Sequence, residues 1–262
     1  MEYTWTDEAG AATLAPDATI LTCFPSAGLA TTVAAHYIVR TLKLPRIGIF
    51  SSAESPPIAV IQGGIVHPPI RVYGRPDFAI VLSEFPPTPS QATALARTLH
   101  AEATQRRARW LLVLEGVSPH APEEEADAAE AQSEPKVYSI VNPPDGSAAK
   151  AIAQGGAEPL DEGVLGGVSG ALLVESIGRP LPVGVLLATA RTSEMFPDHR
   201  AGAALIEALD RVLPEISIDT GPLRAQAEEI EKALRAVMKA HPAHGAPAEP
   251  PAPSTPGDGM YQ

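Results

Sequence analysis

Two apolar runs separated by a segment of helical length constrain the fold of this 262-residue chain more than any other feature. The runs cover residues 78–82 and 110–115, and uninterrupted apolar sequences of this kind are typical of strands that are covered on both faces. Between them, residues 90–107 carry alanine and leucine at helical spacing on one face. A strand, a helix and a second strand in this order favour a parallel pair with a helical crossover.

The same alternation extends along the rest of the chain. Further strands are predicted at residues 18–24, 46–50, 57–62, 70–73 and 183–190. A helix is predicted from Leu29 to about Leu44, because Leu29, Val33 and Tyr37 recur at a spacing of four. Gly63-Gly64 is a turn signal between short β-like pieces. We therefore predict an α/β fold with a mostly parallel or mixed sheet flanked by helices.

Two further helices are predicted near the end of the chain. Asp198 is placed to cap a helix that carries Ala201, Leu205, Leu209 and Val212 and stops at a proline. Residues 223–238 then form an apolar stripe at helical spacing, with oppositely charged side chains four residues apart on its outer face. This last helix packs either on its own domain, which is the favoured interpretation, or against another subunit.

An acidic segment interrupts the alternation. Residues 123–134 hold five Glu and one Asp with no basic residue. Like charges at this density repel one another and stay solvated, which predicts a mobile loop at about residues 120–135, inserted between two strands. A loop that binds a partner is the second interpretation.

The C-terminal segment is rich in proline. Six prolines lie between His241 and Gly259, and proline removes backbone donors and favours an extended chain. We predict a single α/β domain over residues 1–240 and an unfolded Pro/Ala-rich tail over residues 241–262. The tail ends in Met260, Tyr261 and Gln262. An apolar residue followed by an aromatic one, here Met260 and Tyr261, at the end of an unfolded tail is typical of a docking element.

Charge and hydropathy exclude several classes of partner. The formal net charge of −12 argues against nucleic acids and anionic membranes, because phosphate binding requires clustered Lys and Arg. No apolar run approaches the roughly 20 residues of a membrane span, and the N-terminus lacks a signal-like core. We expect a cytoplasmic protein. Cys23 lies in an apolar run, which predicts a buried and unreactive thiol.

Patterns that resemble catalytic motifs are incomplete. The glycine-rich stretch around Ser169 lacks the last glycine of a nucleophile elbow, and no lysine follows it as in a phosphate loop. We interpret it as a helix whose glycines permit close backbone approach. His241 and His244 have the spacing of a weak metal site, but solvated histidines are the favoured interpretation. We expect no active site, no metal and no cofactor.

Glu84 and Glu115 are each predicted to follow a buried strand at its carboxyl end, where α/β proteins usually bind ligands. Paired carboxylates at that edge can perform acid–base chemistry, although structural roles are favoured. These two residues define the alternative function, a nucleoside-like small-molecule binding protein or enzyme. A deep pocket that holds Glu84 or Glu115 with a perturbed pKa would favour this alternative.

Several segments, in their order along the chain, resemble the proteasome assembly chaperone family in its archaeal and bacterial branch. Residues 166–173 (GGVSGALL) resemble its glycine-rich helix start, and residues 183–190 resemble its late core strand. Phe196-Pro197-Asp198 with the helix at 201–213 resembles its proline–aspartate turn, and residues 223–238 resemble its terminal helix. Residues 25–44 and 78–87 resemble its first helix and an early strand with a proline-rich loop. The resemblance covers about residues 10–240.

This resemblance implies a fold similar to nucleoside phosphorylases without their catalytic residues, and a homo-oligomer that assists assembly or ATP-independent activation of the proteasome core particle. The last three residues resemble the hydrophobic–Tyr–any (HbYX) motif, which enters a groove between α-type subunits of the core. The resemblance then implies that Met260 supplies apolar contact, Tyr261 the ring and hydroxyl, and Gln262 the carboxylate that meets a lysine.

Overall fold

The computed structural model describes residues 2–118, 134–192 and 196–240, with the side chains of these ranges except those of residues 231 and 234–240. Over these ranges the chain forms eleven strands and six helices, numbered here in chain order. The strands are β1 (Thr4–Asp7), β2 (Thr19–Cys23), β3 (Arg46–Ser51), β4 (Val60–Gln62), β5 (Ile65–His67), β6 (Ile70–Arg75), β7 (Phe78–Ser83), β8 (Trp110–Val117), β9 (Val137–Asn142), β10 (Glu158–Pro159) and β11 (Val183–Thr189). The helices are α1 (Ala30–Thr41), α2 (Pro89–Gln105), α3 (Gly146–Gln154), α4 (Gly167–Ser176), α5 (His199–Val212) and α6 (Gly221–Ala240).

Nine strands form one mixed sheet in the order β1-β3-β6-β7-β2-β8-β11-β9-β10. Its centre, β7-β2-β8-β11, is parallel. Antiparallel pairing joins β1, β3 and β6 on one side, and β9 is antiparallel to β11 on the other. Because the four central strands run the same way, their carboxyl ends meet at one edge of the sheet, here called the carboxyl edge.

Helices cover both faces of the sheet. On one face, the α1 face, apolar residues of α1, α3 and α5 pack on alternate strand residues such as Leu112 and Leu186. On the other, the α4 face, residues of α2 and α4 pack on the intervening residues, including Val113 and Leu187. The predicted α/β class with a mixed sheet between helices is therefore confirmed.

Local sequence signals account for most element boundaries. Thr88 forms a capping box with Gln91 at the start of α2, and Asp198 caps α5 by accepting a hydrogen bond from the backbone N–H of Ala201, as predicted. Gly63 and Gly64 form the two-residue turn between β4 and β5, and both have positive φ, as a type I′ hairpin turn requires. The predicted strand at residues 57–62 begins only at Val60, because Pro57 lies in a turn.

Five elements lie outside the sequence-based assignment. They are β1, β5, β9, β10 and α3. Trp5 of β1 and the preceding Tyr3 are buried, and the Trp5 ring lies 5.2 Å from that of Phe50 in β3. The two ends of the sheet are thus β1, of four residues, and β10, of two.

The chain divides into two units by internal contacts. The first covers residues 1–227, and the second begins at Glu228 with the remainder of α6. Leu223 and Ala227, the first residues of the predicted apolar stripe, are buried in the first unit. Helix α6 itself confirms the predicted helix at residues 223–238. The single domain ending at residue 240 stays a prediction.

Candidate functional site

The predicted docking residues lie outside the described part of the chain. Met260, Tyr261 and Gln262 follow α6, whose last residue is Ala240. His241 and His244, as well as the acidic segment at 123–133, also lie outside the described residues. The structure therefore bears on function through the folded domain, and above all through the carboxyl edge of the sheet.

Glu115 lies inside the sheet rather than after a strand, so its predicted placement is wrong. It belongs to β8, two residues before the strand ends, because the apolar run continues through Gly116 and Val117. Its side chain faces the α4 face, where the hydroxyl of buried Ser169 donates a hydrogen bond to Oε2. Burial raises the pKa of Glu115 to about 7, and the hydrogen bond from Ser169 opposes this shift.

Glu84 follows β7 at the carboxyl edge, as predicted, and lies in an ionic cluster on the α1 face. It accepts hydrogen bonds from Arg71, which is fully buried, and from His36 of α1, whose Nε2 lies 3.2 Å from Oε1. The hydrogen bond from His36 and the charge of Arg71 lower the pKa of Glu84, although burial opposes them. Nε and Nη1 of Arg71 find no partner among the described residues.

The two carboxyl groups do not form a pair. Glu84 contacts α1 on one face of the sheet, Glu115 contacts α4 on the other, and β2 lies between their strands. Acid–base catalysis that requires two neighbouring carboxylates has no geometric basis here. Their environments also differ, since Glu84 is ion-paired and Glu115 is surrounded by apolar side chains.

The glycine-rich stretch forms the start of α4, which confirms the helical interpretation. Ser169 is buried and directed at Glu115, so it is not an exposed nucleophile. A side-chain carbon at Gly170 would overlap the carbonyl oxygen of Leu165, so this glycine permits the close backbone approach that the sequence indicated. Cys23 is also buried, and burial raises the pKa of its thiol, as expected of an unreactive cysteine.

A cavity of about 600 Å³ opens at the carboxyl edge on the side of β8, β11 and β9. Its walls include Val117 and Leu187 from the strand ends and Leu165 from the segment that precedes α4. Val117 and Leu187 share the α4 face with Glu115, which lies deeper in the sheet and does not itself line the cavity. The pKa of Glu115 is raised and a cavity lies nearby, but the cavity holds neither Glu115 nor Glu84, so the condition for the alternative function is not met.

Within the described ranges, no group of three or more His, Cys, Asp or Glu side chains is arranged to hold a metal ion. None of the helices in those ranges combines the length and apolar character needed to cross a membrane.

Sequence reasoning missed Arg71 and the cavity. Arg71 belongs to β6, and its charge gives no indication in the sequence that its side chain is fully buried beside Glu84. The cavity arises where segments distant in sequence meet, because β11 inserts between β8 and β9. The one available signal was Glu115 itself, since a carboxylate at the end of an apolar run marks an edge where ligands bind.

The model of the PAC2 family matches residues 20–238. An uncharacterized protein of Methanocaldococcus jannaschii is 27% identical over 222 residues, which cover 85% of this chain and 86% of that protein.

Solved structures share the fold. PbaA of Pyrococcus furiosus, an archaeal homologue of a proteasome-assembly chaperone, superposes with a TM-score of 0.75 and 24% identity over 92% of this chain and 93% of its own. PbaB of the same organism, an archaeal proteasome activator, has a TM-score of 0.72 and 20% identity over 90% of this chain and 98% of its own. A proteasome-assembly chaperone homologue of Mycobacterium tuberculosis has a TM-score of 0.61 and 18% identity over 84% and 95%.

Proposed function

Because the chain belongs to the PAC2 family, we propose that it is a proteasome core-particle assembly chaperone or an ATP-independent activator of the core. One coincidence carries this proposal. The fold is shared over most of both chains with PbaA and PbaB, and the sequence ends in Met260-Tyr261-Gln262 after a proline-rich segment. Either feature alone supports the proposal less strongly. One fold hosts many functions, and a match of three residues to a short motif can arise by chance.

The proposed contact is made by the C-terminal residues. Met260 supplies an apolar group and Tyr261 a ring and hydroxyl in a groove between α-type subunits, while the carboxylate of Gln262 meets a lysine there. Aromatic anchors that fill a pocket dominate the binding energy of small interfaces. The proline content of the tail beyond residue 240 favours an extended chain. At roughly 3 Å for each of about 20 residues, such a tail would reach some 60 Å.

Docking through so few residues requires several copies. A three-residue anchor buries little area, so one tail binds weakly, and tails on one homo-oligomer raise each other's effective concentration. The gain is on the order of 10²–10⁴ in apparent affinity. We therefore propose a homo-oligomer whose tails engage several grooves on the ring of α-type subunits. Long, extended tails would tolerate a mismatch between the symmetry of the oligomer and that of the ring.

The proposed activity is binding, without catalysis or a cofactor, in the cytoplasm. The geometry supports this, because Ser169 is buried against Glu115 and the carboxyl groups of Glu84 and Glu115 lie on opposite faces of the sheet. The folded domain then serves as the platform that arranges the tails.

Co-purification with proteasome α-type subunits tests the proposal. The intact chain should capture them, and a chain that lacks Met260, Tyr261 and Gln262 should not. A variant with Gly259→Ala, which keeps the last three residues, serves as the matched control and should bind normally. Equal capture by the truncated chain would contradict docking through the C-terminus.

Stimulation of peptide hydrolysis by mature core particles then separates the two roles. An activator increases hydrolysis, whereas a chaperone accelerates the formation of core particles from separate α-type and β-type subunits. The truncated chain should lose whichever effect the intact chain shows.

A further inference from the structure

The cavity at the carboxyl edge has the dimensions of a small-molecule site. Its volume of about 600 Å³ lies within the range of roughly 300–1,000 Å³ that ligand pockets occupy. It is built from three strand ends and the segment before α4, so the central sheet is the scaffold that shapes it. Proposed docking through the tail makes no use of this cavity.

The wall of the cavity is mostly apolar. Its aliphatic residues come from the ends of β8 and β11 and from the segment before α4, and they are Val117, Leu160, Val164, Leu165 and Leu187. Tyr138 of β9 adds an aromatic ring on the same face of the sheet as Leu187, its cross-strand neighbour. Apolar surface that is removed from water contributes favourably to binding. The occupant therefore has an apolar body.

The charges in the wall balance one another. Three acidic and three basic residues line the cavity, namely Glu134, Glu162 and Asp198, and Lys136, Arg191 and Arg200. Asp198 is paired with Arg191, and Glu134 with Arg224. Arg200 also has an interaction partner, and Lys136 and Glu162 are exposed residues of opposite sign. The wall thus offers no surplus charge to an ion, and an ion is costly to move from water into an apolar cavity without a counter-charge.

The neutral polar side chains of the wall are also largely satisfied. The hydroxyls of Ser118 and Thr192 lie 3.0 Å apart, and Thr189 accepts a hydrogen bond from the backbone N–H of Lys136. The hydroxyl of half-buried Tyr138, by contrast, makes no hydrogen bond within the described part of the chain. A hydroxyl can both donate and accept, so one polar group on the ligand is enough to pair with it.

We propose that this cavity binds a small neutral molecule with an apolar body and one hydrogen-bonding group. The apolar body occupies the space between Val117, Leu165 and Leu187, and its polar group pairs with the hydroxyl of Tyr138. This inference goes beyond the proposed docking and does not depend on it, since it concerns the folded domain and requires no tail.

Isothermal titration calorimetry of the full-length protein at pH 7 with 2-naphthylmethanol tests the proposal. The expected dissociation constant is on the order of 0.1 mM, as for a ligand of this size with a modest contribution per atom. The anion 2-naphthoate and the cation 2-naphthylmethylamine carry the same ring system, and each should bind about tenfold more weakly. No binding of the alcohol, or binding of either ion as tight as that of the alcohol, would overturn the proposal.

A matched pair of tyrosine variants tests the polar contact. Tyr138→Phe should weaken binding of 2-naphthylmethanol about fivefold, because it removes one neutral hydrogen bond. Tyr37→Phe is the control, since the hydroxyl of Tyr37 donates to the backbone carbonyl of Asp219 and Tyr37 does not line the cavity. It should leave the affinity unchanged. Equal effects of the two substitutions would contradict the proposed role of Tyr138.

A matched pair of leucine variants locates the apolar body. Leu165→Trp should remove measurable binding, because the larger side chain fills the cavity. Leu173→Trp, at a half-buried position of α4 that does not line the cavity, should not. Circular dichroism establishes whether each variant is folded, and if Leu165→Trp fails to fold, the tyrosine pair decides. Equal binding by the two folded tryptophan variants would show that 2-naphthylmethanol binds elsewhere.

Discussion

The hydroxyl of Ser169 donates a hydrogen bond to Glu115 Oε2, joining α4 to the middle of the parallel sheet. The carboxyl group lies among apolar residues, with Leu187 beside it on β11 and the buried thiol of Cys23 on β2 nearby. A carboxyl group so placed is costly to ionise, because burial disfavours the charged form. Ser169 offsets part of that cost, and the contact fixes the glycine-rich start of α4 against the strand.

Glu115 should make stability depend on pH in an unusual direction. Burial raises its pKa from an ordinary value of 4.5 to about 7 on folding, so the folded chain holds the proton more tightly than the unfolded chain. The contribution is fully present below pH 4.5 and is lost as the pH rises to about 7. The loss amounts to roughly 3 kcal/mol. Glu115→Gln removes it, so the stability of the variant relative to wild type should increase from pH 5 to pH 8.

Urea denaturation at pH 5, 6.5 and 8 measures this difference. Glu229→Gln, at an exposed position of α6, is the matched control and should show no such trend. If the free energies of unfolding of wild type and Glu115→Gln change in parallel over this pH range, the proposed burial of the charge is wrong.

The buried pair of Arg71 and Glu84 should be strongly coupled. Glu84→Gln leaves the fully buried guanidinium without its counter-charge, and two of its nitrogens already lack partners among the described residues. We expect a loss of about 3 kcal/mol from this change. Adding Arg71→Met should restore part of it, because the double variant buries no unpaired charge.

A double-mutant cycle of thermal or chemical unfolding measures this coupling. The same cycle on the half-exposed pair of Arg109 and Glu215 should give at most about 1 kcal/mol. Additive effects of Arg71→Met and Glu84→Gln would contradict the prediction.

Tyr261→Ala should abolish binding to the proteasome core while the fold and the oligomer stay intact. The ring is the proposed anchor, and its loss costs on the order of 2 kcal/mol per tail, multiplied over several tails. One residue added after Gln262 should be nearly as damaging, because it moves the carboxylate away from its lysine. Pull-down and peptide hydrolysis are the measurements. Normal values for Tyr261→Ala would mean that the function belongs to the folded domain.

A homo-oligomer is expected in solution, because several tails must act together. Analytical ultracentrifugation at micromolar concentration should show a species several times heavier than the 27.3 kDa chain. The apolar stripe of α6 at residues 223–238 is the first candidate for the interface, and Ile230→Glu should shift the equilibrium towards smaller species. A sedimentation profile of 27.3 kDa alone would contradict multivalent docking.

Limited proteolysis should cut first within residues 122–135 and beyond His241, because charge repulsion and proline disfavour folding there. A protease of broad specificity followed by mass spectrometry identifies the first cleavage sites. Early cuts in β7 or β8 would contradict the strand assignments at the centre of the sheet.

The central elements could be predicted from sequence because their signals are local and strong. The apolar runs of β7 and β8 give strands covered on both faces, and Asp198 followed by apolar residues at helical spacing gives α5. Strand β9 could not be predicted, because its residues are mostly only half-buried. Its sequence, VYSIVN, therefore lacks both a continuous apolar run and a clean alternation. Strand β10 could not be predicted because it has only two residues.

The candidate site was only partly predictable, for a different reason. Glu115 could be singled out as a carboxyl group in an apolar run, but its position inside β8 could not be predicted, and its partner Ser169 lies 54 residues later. Nothing in the local sequence shows that α4 packs over β8, so the hydrogen bond and the raised pKa follow only from the tertiary structure. Tyr261 is the reverse case, since its interpretation rests on sequence alone.

The two outer strands of the nine-stranded sheet affect whether copies of this protein aggregate when their local concentration is high. An open strand edge is a template on which a neighbouring chain can add its own strand, and this is a common route to aggregation. Here one outer strand is β10, of only two residues including Pro159, which offers no backbone N–H. The other is β1, where Asp7 is paired with Arg106 and the Arg106 guanidinium lies 4.1 Å from the ring of Trp5. Both edges resist sheet extension, so copies can lie side by side at high local concentration without polymerising through their strands.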